Sequence, residues 1–484
     1  MKNNINWNFD NTYSKLPEPF REKINPVKVK NPKLILLNES LAKDLNLDFS
    51  EISQSELSAI FTGNELPKNS NSIAQAYAGH QFGHFTMLGD GRAVLIGEHV
   101  SKNNHRYDIQ FKGSGKTAFS RNGDGRAALG PMIREYLISE AMHKLDVPTT
   151  RSLAVVKTGE EVIRETPLNG AILTRVALSH IRVGTFQYIA ARQKRDELEI
   201  LLDYVIKRHY PNILNSKNKP LDLLKVVLDK QIELVVNWMR IGFIHGVMNT
   251  DNMSISGETI DYGPCAFMDV YDPKTVFSSI DQLGRYAYCN QPNITKWNLA
   301  RFAECLIPLI HNDQNKAIEL ATELINEFEK KYEKKWLQMM RNKLGLLGDE
   351  EKDKYLILDL LTWMHQKKLD YTNTFCHLMN IEINRDKNFD DYEFQEWKKR
   401  WQERLLTNNN SPKKYLKLMR SVNPLVIPRN NKVEEVLNEA NKDNIKPLNK
   451  LLGILNRPYT EHEDLIKYQP PSVSNDKYQT FCGT

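Results

Sequence analysis

The sequence predicts an α+β protein in two lobes, a small strand-rich one followed by a large helical one. Between residues 74 and 156, short extended apolar runs are bounded by glycine and polar turns, as strands are. Past residue 185 the apolar positions recur at helical spacing instead. A polar loop, His245 to Asn252, follows directly on one of those helical stretches.

Residues 1–70 mix a polar start with short apolar pieces such as Leu34-Ile35-Leu36-Leu37, and are expected to wrap the lobes as an N-terminal extension. The small lobe is expected over 71–170. Its strands are Ala93-Val94-Leu95-Ile96-Gly97-Glu98 and Tyr107-Asp108-Ile109-Gln110-Phe111-Lys112. Pro131 suits the first turn of a helix running to about residue 144, with Ile133, Leu137, Ile138 and Ala141 on one stripe. The helical lobe is expected over 171–385, with amphipathic helices at 198–210 and 221–241. Residues 314–345 predict one long helix, and its run Glu327-Phe328-Glu329-Lys330-Lys331-Tyr332-Glu333-Lys334-Lys335 reads as a solvated face laced by i,i+4 pairs. A C-terminal helical extension is expected over 386–484, with helices near 432–442 and 447–455 and Cys482 in its tail.

Composition narrows the function. Of 484 residues, 40% are apolar, enough for a sizeable core. The 66 basic and 60 acidic residues leave a net charge of +6 spread along the chain, which argues against a nucleic-acid partner. No apolar run approaches the roughly 18–20 residues of a membrane-spanning helix. Residues 1–20 lack the apolar core of a secretory signal. Five cysteines without a C-x-x-C pair predict a reduced compartment, with no disulfide framework or zinc site. A cytoplasmic monomer is expected.

The chemistry concentrates in His245-Gly246-Val247-Met248-Asn249-Thr250-Asp251-Asn252 and the Asp261-Tyr262-Gly263 that follows. Kinase-like phosphotransferases carry H-[RG]-D-x-x-x-x-N and then an Asp that holds magnesium. His245 and Asn252 have that spacing and Asp261 has that place, but Val247 stands where the catalytic Asp belongs. Asn252 and Asp261 offer the hard oxygens that Mg²⁺ or Mn²⁺ takes. Asp251 stands close enough to replace the missing base. The two-lobe layout is then that of a bilobal protein-kinase-like fold.

Other pieces fit the same scheme. Gly89-Asp90-Gly91-Arg92 is a turn between strands where backbone N–H groups can approach phosphate, although many hairpins carry such turns. Lys112 ends a strand and Glu135 lies on the next helix, the pairing that aims an ammonium at a nucleotide. Gly123-Asp124-Gly125-Arg126 precedes that helix, and capping explains it about as well as nucleotide binding. Arg175 and Arg182 carry forks suited to polyphosphate, but spacing alone fits surface residues better. Gly113-Ser114-Gly115-Lys116-Thr117 resembles the end of a phosphate-binding P-loop, yet Gln110 occupies the first glycine position and another glycine-rich loop follows instead of a helix. His80-Gln81-Phe82-Gly83-His84 invites a zinc reading that its glycine and the missing Glu oppose.

Taken together, Tyr77-Ala78-Gly79-His80-Gln81-Phe82-Gly83-His84-Phe85, Leu88-Gly89-Asp90-Gly91-Arg92-Ala93, Gln110-Phe111-Lys112-Gly113-Ser114-Gly115, the stretch from Thr174-Arg175 to Arg182, and the His245 loop make the chain resemble the selenoprotein O family. These are protein adenylyltransferases of pseudokinase-like fold. The resemblance implies that ATP binds inverted, with AMP passing to Ser, Thr or Tyr hydroxyls of protein substrates and pyrophosphate leaving. It implies that Arg175 and Arg182 hold the γ-phosphate and that Lys112, positioned by Glu135, holds the polyphosphate. Gly89, Gly91, Arg92, Asp124 and Gly125 then line the nucleotide site, Asn252 and Asp261 hold the metal, and Asp251 is the base. UTP as a donor of UMP, particularly with manganese, is also implied. In some relatives a tail cysteine pairs with one in the loop after the metal Asp. Here Cys482 would face Phe277, which leaves Cys265 as a candidate partner. The other readings of the same residues are a kinase-like phosphotransferase and a nucleotide-binding pseudokinase scaffold.

Overall fold

Alternation along two neighbouring strands decides what faces the site. In the strand Arg106–Lys112, Ile109 and Phe111 point into one core while Gln110 and Lys112 point to the opposite face. The antiparallel strand Pro167–Ala177 pairs with it so that Arg175 stands opposite Gln110, on the same face and diagonal to Lys112. A period of two thus delivers both cations to one side of the sheet.

The computed structural model describes residues 5–381, 386–408, 410–471 and 478–481. Its main sheet is antiparallel, in the order Arg21–Lys23, Ile73–Gln75, Ala93–Val100, Arg106–Lys112, Pro167–Ala177, Arg151–Ile163 and Lys33–Leu37, with Ala127–Ala128 beside Pro167–Ala177. The first 70 residues supply both outer strands of that order. One face buries Val94, Ile96, Ile109, Phe111, Ile172 and Val176 against Leu57, Ile60 and Phe61 of the helix Gln54–Thr62. The other face carries the helix Leu129–Lys144, which is buried nearly all round and holds Glu135 in its second turn.

Helices dominate the rest. The helix Lys219–Ile241 is capped by Asn218, whose side chain accepts from Leu221 N, and it stops at Gly242. The chain then pairs Phe243–Ile244 with Ala266–Phe267, and between those short strands it makes the His245 loop. His245 itself is buried, with Nε2 2.9 Å from Ile260 O, so it braces the loop from inside. No helix opens at Lys116, and the chain forms no regular element until the short strand Ala127–Ala128. The helix expected over 314–345 is two, Gln314–Asn326 and Phe328–Leu344. Glu327 N closes back on Leu324 O, three residues away, which tightens the last turn and sends Phe328 inward to stack on Tyr332. Helices Asn430–Asn441 and Lys446–Leu455 lie within two residues of the expected bounds. Among the described residues no helix is long and apolar enough to cross a membrane.

A buried ionic knot ties sheet to helices. Arg208, from the helix Arg195–His209, lies 2.6 Å from Asp108 and 2.8 Å from Glu98 on adjacent strands. Asp108 also accepts from His180 N at 2.8 Å, just ahead of Arg182. Burial alone would raise the Asp108 carboxyl, but the Arg208 guanidinium and the His180 contacts outweigh it and hold it below the usual carboxylate range. Breaking such a pair strands a desolvated charge, so Asp108→Ala is expected to cost about 3–5 kcal/mol, read from the urea midpoint.

Candidate active site

The sheet face, the helix Leu129–Lys144 and the His245 loop enclose a cleft of about 540 Å³. Gly89, Gly91, Arg92, Lys112, Asp124, Gly125, Glu135, Arg175, Arg182, Asp251, Asn252 and Asp261 all line it. The arginines that spacing fitted best as surface residues are each 2% exposed.

At its deep end is a four-membered charge cluster. Lys112 Nζ lies 2.7 Å from Glu135 Oε2 and 2.7 Å from Asp261 Oδ1. Arg175 donates from Nε to Glu135 Oε1 at 2.7 Å and from Nη2 to Asp261 Oδ1 at 2.5 Å. Burial would raise both carboxyls, but the two cations outweigh it and hold Glu135 and Asp261 ionised, Asp261 well below the usual range. Arg182 is the least compensated cation here. Its guanidinium lies over the Tyr77 ring, 4.2 Å from the centroid, and comes no nearer than 3.9 Å to Asp90 and Asp261.

The glycine turn is fastened by interlocking loops. Gly89 has φ +136°, and a Cβ there would lie 2.3 Å from the Phe119 ring. Thr117 Oγ1 donates to Asp90 O at 2.7 Å, and Ser120 Oγ donates to Gly91 O. Asp90 accepts from Gln75 N and from Gln110 Nε2, at 3.1 and 3.2 Å, tying the turn to two strands. At the other side of the mouth Asp124 accepts a forked pair of hydrogen bonds from Arg164, which lowers its carboxyl. Tyr77 and Asp90 were not singled out from sequence, although both lie inside the quoted motifs.

Asp251 and Asn252 sit on the 3₁₀ turn Thr250–Asn252. Asn252 Nδ2 donates to Val247 O at 3.0 Å, leaving its carbonyl oxygen for another partner. Asp251 is buried and its Oδ1 accepts no hydrogen bond. Burial pushes its carboxyl up to about 6, against the pull of Arg182. The free amide oxygen of Asn252 and the Asp261 oxygen that takes neither Lys112 nor Arg175 are hard donors that fit a divalent cation. Among the described residues no group of three or more His, Cys, Asp or Glu could hold a metal by itself. An ion here would take its remaining ligands from phosphate and water.

His80 and His84 lie on a hairpin. The His80 ring packs on Phe85 and Trp297, and its Nδ1 meets Gln187. Cys265 is buried beside Arg134, and burial pushes its thiol up to about 11. Cys482 lies outside the described residues. Thr480 N donates to Phe277 O at 2.8 Å and Thr480 Oγ1 to Pro264 O at 2.7 Å, so Thr480 lies beside Phe277 and Pro264.

The family model described as Protein adenylyltransferase SelO matches residues 3–456. A relative in Pelagibacter ubique named Protein nucleotidyltransferase YdiU is 65% identical over 99% of this chain and 100% of its own length. Relatives of the same name in Nitrosococcus oceani and Anoxybacillus flavithermus are 55% and 56% identical, covering 99% of this chain and 98% and 100% of their own lengths. A match of this extent, on a chain whose quoted motifs converge on one cleft, leaves no other assignment: the chain belongs to the SelO family of protein adenylyltransferases.

Proposed function

We propose that the protein transfers AMP from ATP to Ser, Thr or Tyr hydroxyls of other proteins, with ATP inverted in a bilobal protein-kinase-like cleft. On this reading the sheet with its helix Leu129–Lys144 is the small lobe, completed by two strands from residues 1–70 and running through the expected boundary at 170 to Ala177. The helices that follow to 385 are the large lobe, and 386–484 is an extension. The observation that carries it is the deep end of the cleft. Lys112, Arg175 and Arg182 crowd the place where a purine would need apolar surface, and the undercompensated Arg182 suits a terminal phosphate. With the γ-phosphate held there, the α-phosphorus lies toward the mouth, on the side of Asp251.

Asp251 takes the proton of the acceptor hydroxyl. The oxygen bonds to the α-phosphorus as the bond to the bridging β-oxygen breaks, and pyrophosphate leaves. Arg175 joins Arg182 on the γ-phosphate and Lys112 holds the polyphosphate, with Lys112 and Arg175 themselves held by Glu135, while Gly89, Gly91 and Arg92 with Asp124 and Gly125 border the rest of the nucleotide. Asn252 and Asp261 would hold Mg²⁺ or Mn²⁺, which when bound offsets polyphosphate charge. UTP fits the same phosphate contacts, so UMP transfer is a second donor reaction of this site.

Parallel incubations with α-³²P-ATP, γ-³²P-ATP and α-³²P-UTP test it. Protein label from the α position and none from γ is expected. Label from γ alone would make the protein a phosphotransferase, and nucleotide binding without label would make it a scaffold.

A further inference from the structure

The nucleotide contacts proposed above do not use the His80-Gln81-Phe82-Gly83-His84 motif. It is the turn region of a two-stranded hairpin, Ala78–Gln81 with His84–Met87, outside the main sheet. We propose that this hairpin seats the general base, with Gly79 and Gln81 as positioning residues for the Asp251 carboxylate. The inference rests on Asp251 being that base.

A Cβ on Gly79 would lie 2.2 Å from Asp251 Oδ1 and 2.8 Å from its Cγ. Gly79 is not in the left-handed region, so the carboxylate itself is what a side chain would meet. From the helix Val183–Ala191, a Cβ on Gly184 would lie 2.0 Å from Ala78 O and 3.4 Å from Asp251 Cα. Gly79 thus lets the strand close on the acid, and Gly184 lets the helix close on that strand. Gln81 lines the cleft, and its carboxamide faces the Asp251 carboxylate.

The hairpin is fixed to the residues just before the base. His80 N donates to Thr250 Oγ1 at 2.7 Å and Phe82 N to Asn249 Oδ1 at 3.0 Å. Thr250 Oγ1 donates to Gln187 Oε1 at 2.6 Å, and Gln187 Nε2 meets His80 Nδ1 at 2.8 Å, closing a ring of contacts. Tyr286 OH donates to the same Asn249 oxygen at 2.7 Å. Both backbone donors of the hairpin therefore end on the loop that carries Asp251, which gives the motif a purpose its histidines alone do not suggest.

A methyl at position 79 must displace the carboxylate by about 1 Å to reach ordinary contact, and misplacement on that scale costs about 10²-fold in rate. Gly79→Ala is therefore expected to lower kcat for α-³²P-ATP transfer by about 10²-fold, with the ATP KM and the nucleotide Kd within about threefold of wild type. Gln81→Ala is expected to lower kcat by a smaller factor, again at unchanged KM. On an Asp251→Ala background, Gly79→Ala should add no loss, because both act through one group. Wild-type kcat in Gly79→Ala, or an additive loss in the double variant, overturns the proposal. If Gly79→Ala does not fold, Gln81→Ala decides, and an unchanged kcat there overturns it. A fully active Asp251→Ala would instead remove the reading of the base, whereas an inactive Asp251→Ala beside an active Gly79→Ala removes only the seat.

Discussion

Asp261→Ala is expected to lower AMP transfer at least about 10³-fold, a loss of about 4 kcal/mol in transition-state stabilisation. One of its oxygens receives both Lys112 Nζ at 2.7 Å and Arg175 Nη2 at 2.5 Å, and the other faces Arg182 at 3.9 Å. Among the described residues no other touches all three cations of the deep end. Alanine leaves Lys112 and Arg175 sharing Glu135 alone, and it removes one of two proposed oxygen donors for the divalent ion. Asp261→Asn keeps the shape and loses the charge, so it is expected to behave nearly as alanine does. The measurement is transfer of α-³²P label at saturating ATP, in Mg²⁺ and separately in Mn²⁺. A variant that keeps a tenth of wild-type activity in either metal removes Asp261 from the reaction.

What could be read beforehand followed from local rules. Lys112 and Glu135 were legible as a pair because a strand end and the helix after it are close in sequence, and only the partner's face needed guessing. Asp251, Asn252 and Asp261 were legible because one loop carries them at fixed spacing. Arg175 and Arg182 were not legible as buried from spacing: their burial depends on the register that sets Arg175 opposite Gln110 and on the Tyr77 ring beneath Arg182. Such facts join residues 65 and more than 100 positions apart. The break at Glu327 escaped because charge periodicity continues across it while the backbone tightens for a single turn. Gly79 escaped for a simpler reason. Its role is the space its missing side chain leaves for an acid 172 positions further on, and no local pattern records an absence of that kind.

Asp251→Ala is expected to lower kcat by about 10²–10⁴-fold, the usual worth of a positioned base, while the nucleotide still binds. Binding should survive because the deep cations and the glycine turn reach the nucleotide without Asp251. The pH dependence gives an independent check. Burial is the largest influence on this carboxyl and pushes it up to about 6 from 3.8, with Arg182 pulling the other way. A base works ionised, so kcat/KM of the wild-type protein should fall as pH drops through about 6 and level off above it. Were Asp251 an ordinary exposed carboxylate, that limb would lie near pH 4. Asp90 is also pushed up to about 6 by its burial, so a limb in the wild type alone does not identify the group. The residual activity of Asp251→Ala does: the limb should vanish there if Asp251 is the base and persist if Asp90 or another acid sets it. A persistent limb with wild-type kcat would move proton removal to a different residue of the cleft.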